Sequence, residues 1–274
     1  MKLSKLISLM IMLLILFAGT SYAQKELWER LNNKANNLYL QARYSEAIKI
    51  GKEALRVAEE TFGPDHQNVG STLNNLAASY RAQEKYAEAE SLYKRSLEIY
   101  EKALGPNHPA VAKSINNLAL LYKSQGKYDE AEALYKQALV IKEKALGKEH
   151  PNVATSLNNL AALYYSQGKY DEAEALFEQA LAIQEKVLGK EHPDVATSLN
   201  NLASLYQDQG NYSLAESHYK RALAIYEKTF GPNHPNVGKV LENMAVCYKN
   251  LGDDDEAKKL EERAKRIKKT YSGQ

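Results

Sequence analysis

Five histidines recur at a fixed interval of 42 residues: His66, His108, His150, His192 and His234. Imidazole is both a metal ligand and a general base, so a periodic histidine set raises metal binding or acid–base catalysis first. Either chemistry requires convergence. Zinc–nitrogen bonds are ~2 Å, so the ligands of one ion crowd together, whereas equivalent points on stacked helices stand about 8–10 Å apart or more. Equal spacing therefore separates these side chains. Each is placed to cap free N–H groups of a following helix or to pack on the preceding loop, and four of the five directly precede a proline. His218 is out of phase and has no evident partner. The lone cysteine, Cys247, occupies a position held elsewhere by Leu121, Leu163 and Leu205. That is the setting of a small buried hydrophobe rather than a reactive thiol, and one cysteine allows no internal disulfide. No phosphate-cradling glycine loop, Gly-x-Ser-x-Gly elbow or paired metal motif is present. The reading is non-catalytic, with no cofactor and no metal site.

A second ladder is polar: Asn32, Asn74, Asn116, Asn158 and Asn200, ending at Glu242. Asparagine is a mediocre helix former because its side chain competes for backbone hydrogen bonds, so five copies within helical segments imply a task. An amide both donates and accepts. It can pair with the backbone of a bound peptide, or it can form an asparagine–asparagine ladder that pins neighbouring units. An unpaired amide is costly enough to favour either partner, and both readings stay open. The adjacent asparagines, Asn75, Asn117, Asn159 and Asn201, are expected to bond to the next unit.

The interval that separates these residues is itself the fold signal. A fixed period between about 20 and 50 residues marks a solenoid or an array. Gly63, Gly105, Gly147, Gly189 and Gly231 keep the same phase. Leu157, Leu160, Ala161 and Tyr164 follow i, i+3, i+4, i+7 spacing, one face of an amphipathic helix. That helix is expected to begin at His150-Pro151, since proline suits the first helical position. It is expected to end at Gln167-Gly168, where glycine takes the left-handed conformation. A second helix starts in "KYDEAEALF", with Asp171 and Glu172 against the positive end of its dipole. It buries Ala173, Phe177, Ala180, Leu181 and Ile183 and stops at Gly189. Alanines recur on both helices (Ala35, Ala77, Ala119, Ala161, Ala203, Ala245; Ala47, Ala89, Ala131, Ala173, Ala215, Ala257) where the two must approach closely.

The combination of a small residue before an aromatic, then Gly-x-Tyr, then Ala-x-x-x-aromatic-x-x-Ala resembles the tetratricopeptide repeat. In the third unit it reads Ala119, Tyr122, Gly126, Tyr128, Ala131, Tyr135 and Ala138. The 42-residue interval, the "LGxxHPxVA" linker and the "LNNLA" core are similar to the kinesin light chain subtype. The resemblance implies an all-α, right-handed α-solenoid of six helix-turn-helix units, at about 24–65, 66–107, 108–149, 150–191, 192–233 and 234–274. Ala42 and Glu84 stand where other units carry a turn glycine, a left-handed position costing a non-glycine residue ~1 kcal/mol. Asp254 and Glu261 replace aromatics in the last unit, whose charged tail suits a solenoid cap. No long heptad region is present, so a motor-transport role does not carry over.

The resemblance also implies that the first asparagines line the concave groove, off the apolar stripe. Other positions on that face vary: Arg81, Lys123, Tyr165, Gln207 and Lys249 further along the first helix, and Lys113, Thr155, Thr197 and Lys239 near its start. The expected peptide-binding groove is therefore Asn74, Asn116, Asn158, Asn200, Arg81, Lys113, Lys123, Tyr165, Gln207, Lys239 and Lys249. It suits a protein or an extended peptide, acidic or aromatic-bearing. The other class considered is a structural self-assembling repeat protein that uses its end faces.

Residues 1–23 are a different material. "MKLSK" is basic, "LISLMIMLLILFA" is an uncharged, mainly apolar run of 13 residues, and Ser21 and Ala23 form a small-x-small site. This is the pattern of a secretory signal peptide cleaved after Ala23, too short to span the ~20 residues of a bilayer crossing. Gln24 lies 42 residues before His66, so cleavage coincides with a repeat boundary. The expected location is periplasmic or secreted, with no membrane span after cleavage. The whole chain carries 36 basic and 34 acidic side chains, a balance with no basic stripe and so no electrostatic case for nucleic acid.

Overall fold

The computed structural model describes residues 22–272. Among them are twelve α-helices and no strand. Helix α1 covers residues 22–40. It is followed by α2 (Tyr44–Phe62), α3 (Gln67–Ala82), α4 (Tyr86–Leu104), α5 (Pro109–Ser124), α6 (Tyr128–Leu146), α7 (Pro151–Ser166), α8 (Tyr170–Leu188), α9 (Pro193–Asp208), α10 (Tyr212–Phe230), α11 (Pro235–Asn250) and α12 (Asp254–Ser272). First helices of 16 residues alternate with second helices of 19 residues from α2 onward. The expected signal sequence lies outside the described residues except for Tyr22 and Ala23, which sit in the first turn of α1.

Each histidine of the 42-residue series is a helix N-cap. Their backbones are extended, with φ between −80 and −70 and ψ between 139 and 146. In every case the ring Nδ1 accepts the backbone N–H two residues on, from Asn68, Ala110, Asn152, Asp194 and Asn236, at 3.1–3.2 Å. That satisfies one of the orphan donors of the first turn. Between the two helices of a unit the chain turns through a left-handed residue. Glycine holds that place at Gly126 and Gly168, both with φ 73. In the first two units Ala42 (φ 57) and Glu84 (φ 59) take the same conformation despite their Cβ atoms.

The chain divides into two compact units, residues 1–141 and 142–274, with the division inside α6. In the first, α2, α3, α4 and α5 pack in sequence, each on the next. Leu31 of α1 is buried with Ala54 and Val57 of α2, and the Trp28 indole donates to Thr72 Oγ1 at 2.9 Å. In the second, α7 to α12 pack in sequence around one continuous core that includes Phe177, Leu199, Leu202, Tyr219, Leu241 and Met244. The recurrent alanines of both helices are buried throughout. Cys247 is buried in that core, its thiol directed at the Tyr212 carbonyl. Leu181 is the exception to the expected α8 stripe, being only half-buried.

Candidate binding face

The asparagine ladder is built into the contacts between successive hairpins. Asn74 (7% exposed) donates from Nδ2 to Ser114 Oγ at 2.9 Å and accepts at Oδ1 from Asn117 Nδ2 at 3.4 Å. Asn158 (8% exposed) donates to Ser198 Oγ at 2.7 Å, and Ser198 in turn donates to Gln184 Oε1 at 2.6 Å. Asn200 is equally buried and accepts from Asn243 Nδ2 at 3.2 Å, as Asn32 does from Asn75. Asn116 is half-buried. A bond 40 residues forward to a serine is made by Asn74 and Asn158, and one 43 residues forward to the second asparagine by Asn32, Asn74 and Asn200, while Asn158 Oδ1 is buried with no hydrogen-bond partner among the described residues. Asn74, Asn158 and Asn200 are buried rather than presented to solvent. A bound backbone has to compete with bonds already made.

The register seven residues further along the first helix is different. Arg81 is half-buried and donates through Nη1 to Ser124 Oγ at 3.4 Å, while its Nε is buried with no hydrogen-bond partner among the described residues. It acts on two second-helix tyrosines, Tyr93 of its own hairpin and Tyr135 of the next. Burial pushes the Tyr93 hydroxyl up to about 12, and the Arg81 guanidinium pulls the other way. Tyr135 is raised by burial, again opposed by Arg81. Burial also holds the Lys123 ammonium below its usual range.

In the second unit the same register carries Tyr165, Gln207 and Lys249. Tyr165 donates its hydroxyl to Asp208 Oδ2, and burial followed by that bond raises its pKa. Tyr219 bonds Ser204 at 3.0 Å and donates to Gln207 Oε1 at 3.5 Å. Burial moves the Tyr219 hydroxyl up to about 12. Lys249 pairs with Glu261 Oε1 of α12 at 2.5 Å. The structure thus groups Arg81 with Tyr93, Tyr135 and Ser124, and Tyr165 with Asp208, near Gln207 and Tyr219. It does not add Lys113 or Lys239 to these groups. Both are exposed and stand ten residues before Lys123 and Lys249, about 15 Å along the helix axis.

Sequence reasoning missed the serine partners Ser114, Ser124 and Ser198, the second-helix tyrosines as walls of this face, and Asp208. It also missed Lys142, buried in the second unit with Nζ donating to Ser156 Oγ at 2.8 Å. The available signal was the recurrence of polar residues 40 and 43 positions after one another. Among the described residues no group of three or more His, Cys, Asp or Glu side chains is placed to hold a metal ion, and no helix is long and apolar enough to cross a membrane.

The tetratricopeptide repeat model matches residues 29–102, 68–144, 115–186, 152–228 and 194–270. Among solved structures, BtubC (BKLC) from P. vanneervenii is 28% identical, with a TM-score of 0.65 over 85% of this chain and 91% of that one. A Podosopora anserina protein described as kinesin light chain, with nearly identical TPR-like repeats, is 32% identical over 74% of this chain and 96% of that one, with a TM-score of 0.59. A Rap protein solved with competence and sporulation factor shares the fold at 18% identity and a TM-score of 0.64, covering 91% of this chain and 78% of that one. No curated protein matches.

Proposed function

The chain belongs to the tetratricopeptide repeat family, a fold of protein-interaction scaffolds, and we propose that it is an exported, non-catalytic adaptor holding a partner protein or extended peptide on its first-helix face. The observation that carries this reading is a contrast between registers. Interior positions repeat from unit to unit, whereas the 81-type register runs Arg81, Lys123, Tyr165, Gln207, Lys249. A face needing only solvation gains nothing from a half-buried guanidinium with an unsatisfied Nε or from a desolvated ammonium. A guanidinium gains when a carboxylate replaces the water it has lost. The first unit therefore favours an acidic segment, and the tyrosines beside it favour an aromatic one. Export rests on the basic, apolar and small-residue regions of positions 1–23.

Immobilised residues 24–274 are challenged with envelope extract beside an Arg81→Glu/Lys123→Glu variant of equal circular dichroism. A partner retained by the parent and lost by the variant supports the face; equal retention by both removes it. Fractionation of cells producing the full chain, with N-terminal sequencing, tests export. A product beginning at Gln24 supports it, and one that keeps Met1 in the cytoplasm overturns it.

A further inference from the structure

We propose that the second compact unit receives an arginine side chain of the partner segment in a subsite made by Tyr165, Tyr170 and Asp208. This assignment rests on the partner being held on the first-helix face, and adds to it the chemistry that one subsite selects. Tyr165 stands in the 42-residue phase of Arg81 and Lys123, and Asp208 in that of Ser124 and Ser166. Positions that carry cations and a neutral hydroxyl in other hairpins therefore carry a ring and a carboxylate here.

The two tyrosines come from successive helices, Tyr165 from α7 and Tyr170 from the first residue of α8. Their ring centroids are 5.9 Å apart and their planes are inclined by 44°. Both are half-buried, so each ring is anchored on one side and open on another. The Tyr165 hydroxyl donates to Oδ2 of Asp208, the last residue of α9, which fixes the carboxylate beside the rings. Asp208 itself is exposed, and its second oxygen accepts no hydrogen bond among the described residues. Tyr219 is buried nearby, its hydroxyl taken up by Ser204 at 3.0 Å and Gln207 at 3.5 Å.

Among the described residues Asp208 makes no ion pair. Lys249 is engaged with Glu261, and the Lys169 ammonium lies 5.3 Å from the centre of the Tyr164 ring. Asp171 and Glu172, in the first turn of α8, follow Tyr170 and add negative charge. A carboxylate at the edge of two aromatic faces is a receptor for a cation. The ring quadrupole attracts the charge, and the carboxylate accepts its N–H groups. A guanidinium suits the place better than an ammonium, because its plane lies on a ring while its fork reaches an oxygen.

The test selects a displayed library of random linear peptides on the wild-type chain, on Asp208→Asn and on Asp208→Ser, all of equal circular dichroism. Asparagine keeps an acceptor for Tyr165 and removes the charge, and serine is what the preceding hairpins carry in this phase. The wild-type chain is expected to enrich arginine-containing peptides. The best of them should bind both Asp208 variants about three- to tenfold more weakly. Changing that peptide's arginine to glutamine should weaken it as much on wild type and add nothing on Asp208→Asn, the non-additivity of a direct contact. Selected peptides without arginine, or arginine peptides that bind the Asp208 variants as tightly as wild type, overturn the subsite. If such peptides are nonetheless lost on Arg81→Glu/Lys123→Glu, the first-helix face keeps its role and only the arginine contact falls. A library from which the wild-type chain selects nothing removes both.

Discussion

Asn158 is open in the sequence to two readings, a contact to a bound peptide or a tie between units, and its hydrogen bonds are those of a tie. Its Nδ2 donates to Ser198 Oγ, which passes the chain on to Gln184 Oε1, so one amide ties α7 to α9 and through it to α8. Asn158→Ala removes a buried donor and is expected to cost about 1–2 kcal/mol in urea unfolding. Unchanged stability with lost peptide binding would return the residue to ligand duty. The left-handed turns give a second residue-scale prediction. Glu84 holds φ 59 with a Cβ, where Gly168 holds φ 73 without one. Glu84→Gly is expected to raise stability by about 0.5–1 kcal/mol, and Gly168→Ala to lower it by about as much, both read from the urea midpoint. The histidine and glycine roles are legible in the sequence because each depends on the two or three residues beside it. The asparagine role stays open between two readings in the sequence, because its partners stand 40 and 43 positions away and phase alone does not say which faces touch.

At the scale of elements, the hairpin is fixed by what is small as much as by what is apolar. Ala173 of α8 and Ala203 of α9 are fully buried, and both belong to ladders of alanine running through the units. Ala203→Leu adds three carbons where the neighbouring helix leaves no room. Overpacking of this kind costs about 1–3 kcal/mol. Val187→Ala, at a half-exposed site on α8, should stay within about 0.5 kcal/mol of wild type. Equal losses in the two variants would mean that close approach is not what the alanine ladder provides. Second-helix ion pairs follow the same logic of repetition but weakly: Arg95–Glu59, Arg221–Glu185 and Arg263–Glu227 are one contact copied. The third and fourth units carry Gln137 and Gln179 there instead. The helices persist without the pair, as expected of partly exposed charges.

At the scale of the whole molecule, the first and last described helices differ from those between them. Leu76, Leu118, Leu160, Leu202 and Met244 occupy one first-helix position and are buried, but α1 carries exposed Lys34 there. On the second helices, Leu55, Leu97, Leu139, Leu181 and Leu223 give way to Lys265 in α12, and the ring of Tyr93, Tyr135, Phe177 and Tyr219 gives way to Glu261. The first and last described helices thus keep their inward apolar positions and lose the outward ones, the polar outer face of a terminal repeat. This weighs against self-assembly through the end faces, since another copy would have to bury these charges. Restoring the interior pattern should reverse the outcome. Lys34→Leu combined with Glu261→Tyr and Lys265→Leu gives each end the chemistry of an internal repeat, and a head-to-tail contact that does not close grows into open assemblies. Sedimentation velocity over a concentration series should show the wild-type chain at one constant mass and the triple variant growing with concentration. Growth of the wild-type chain itself would show that the charged ends are an interface rather than a stop.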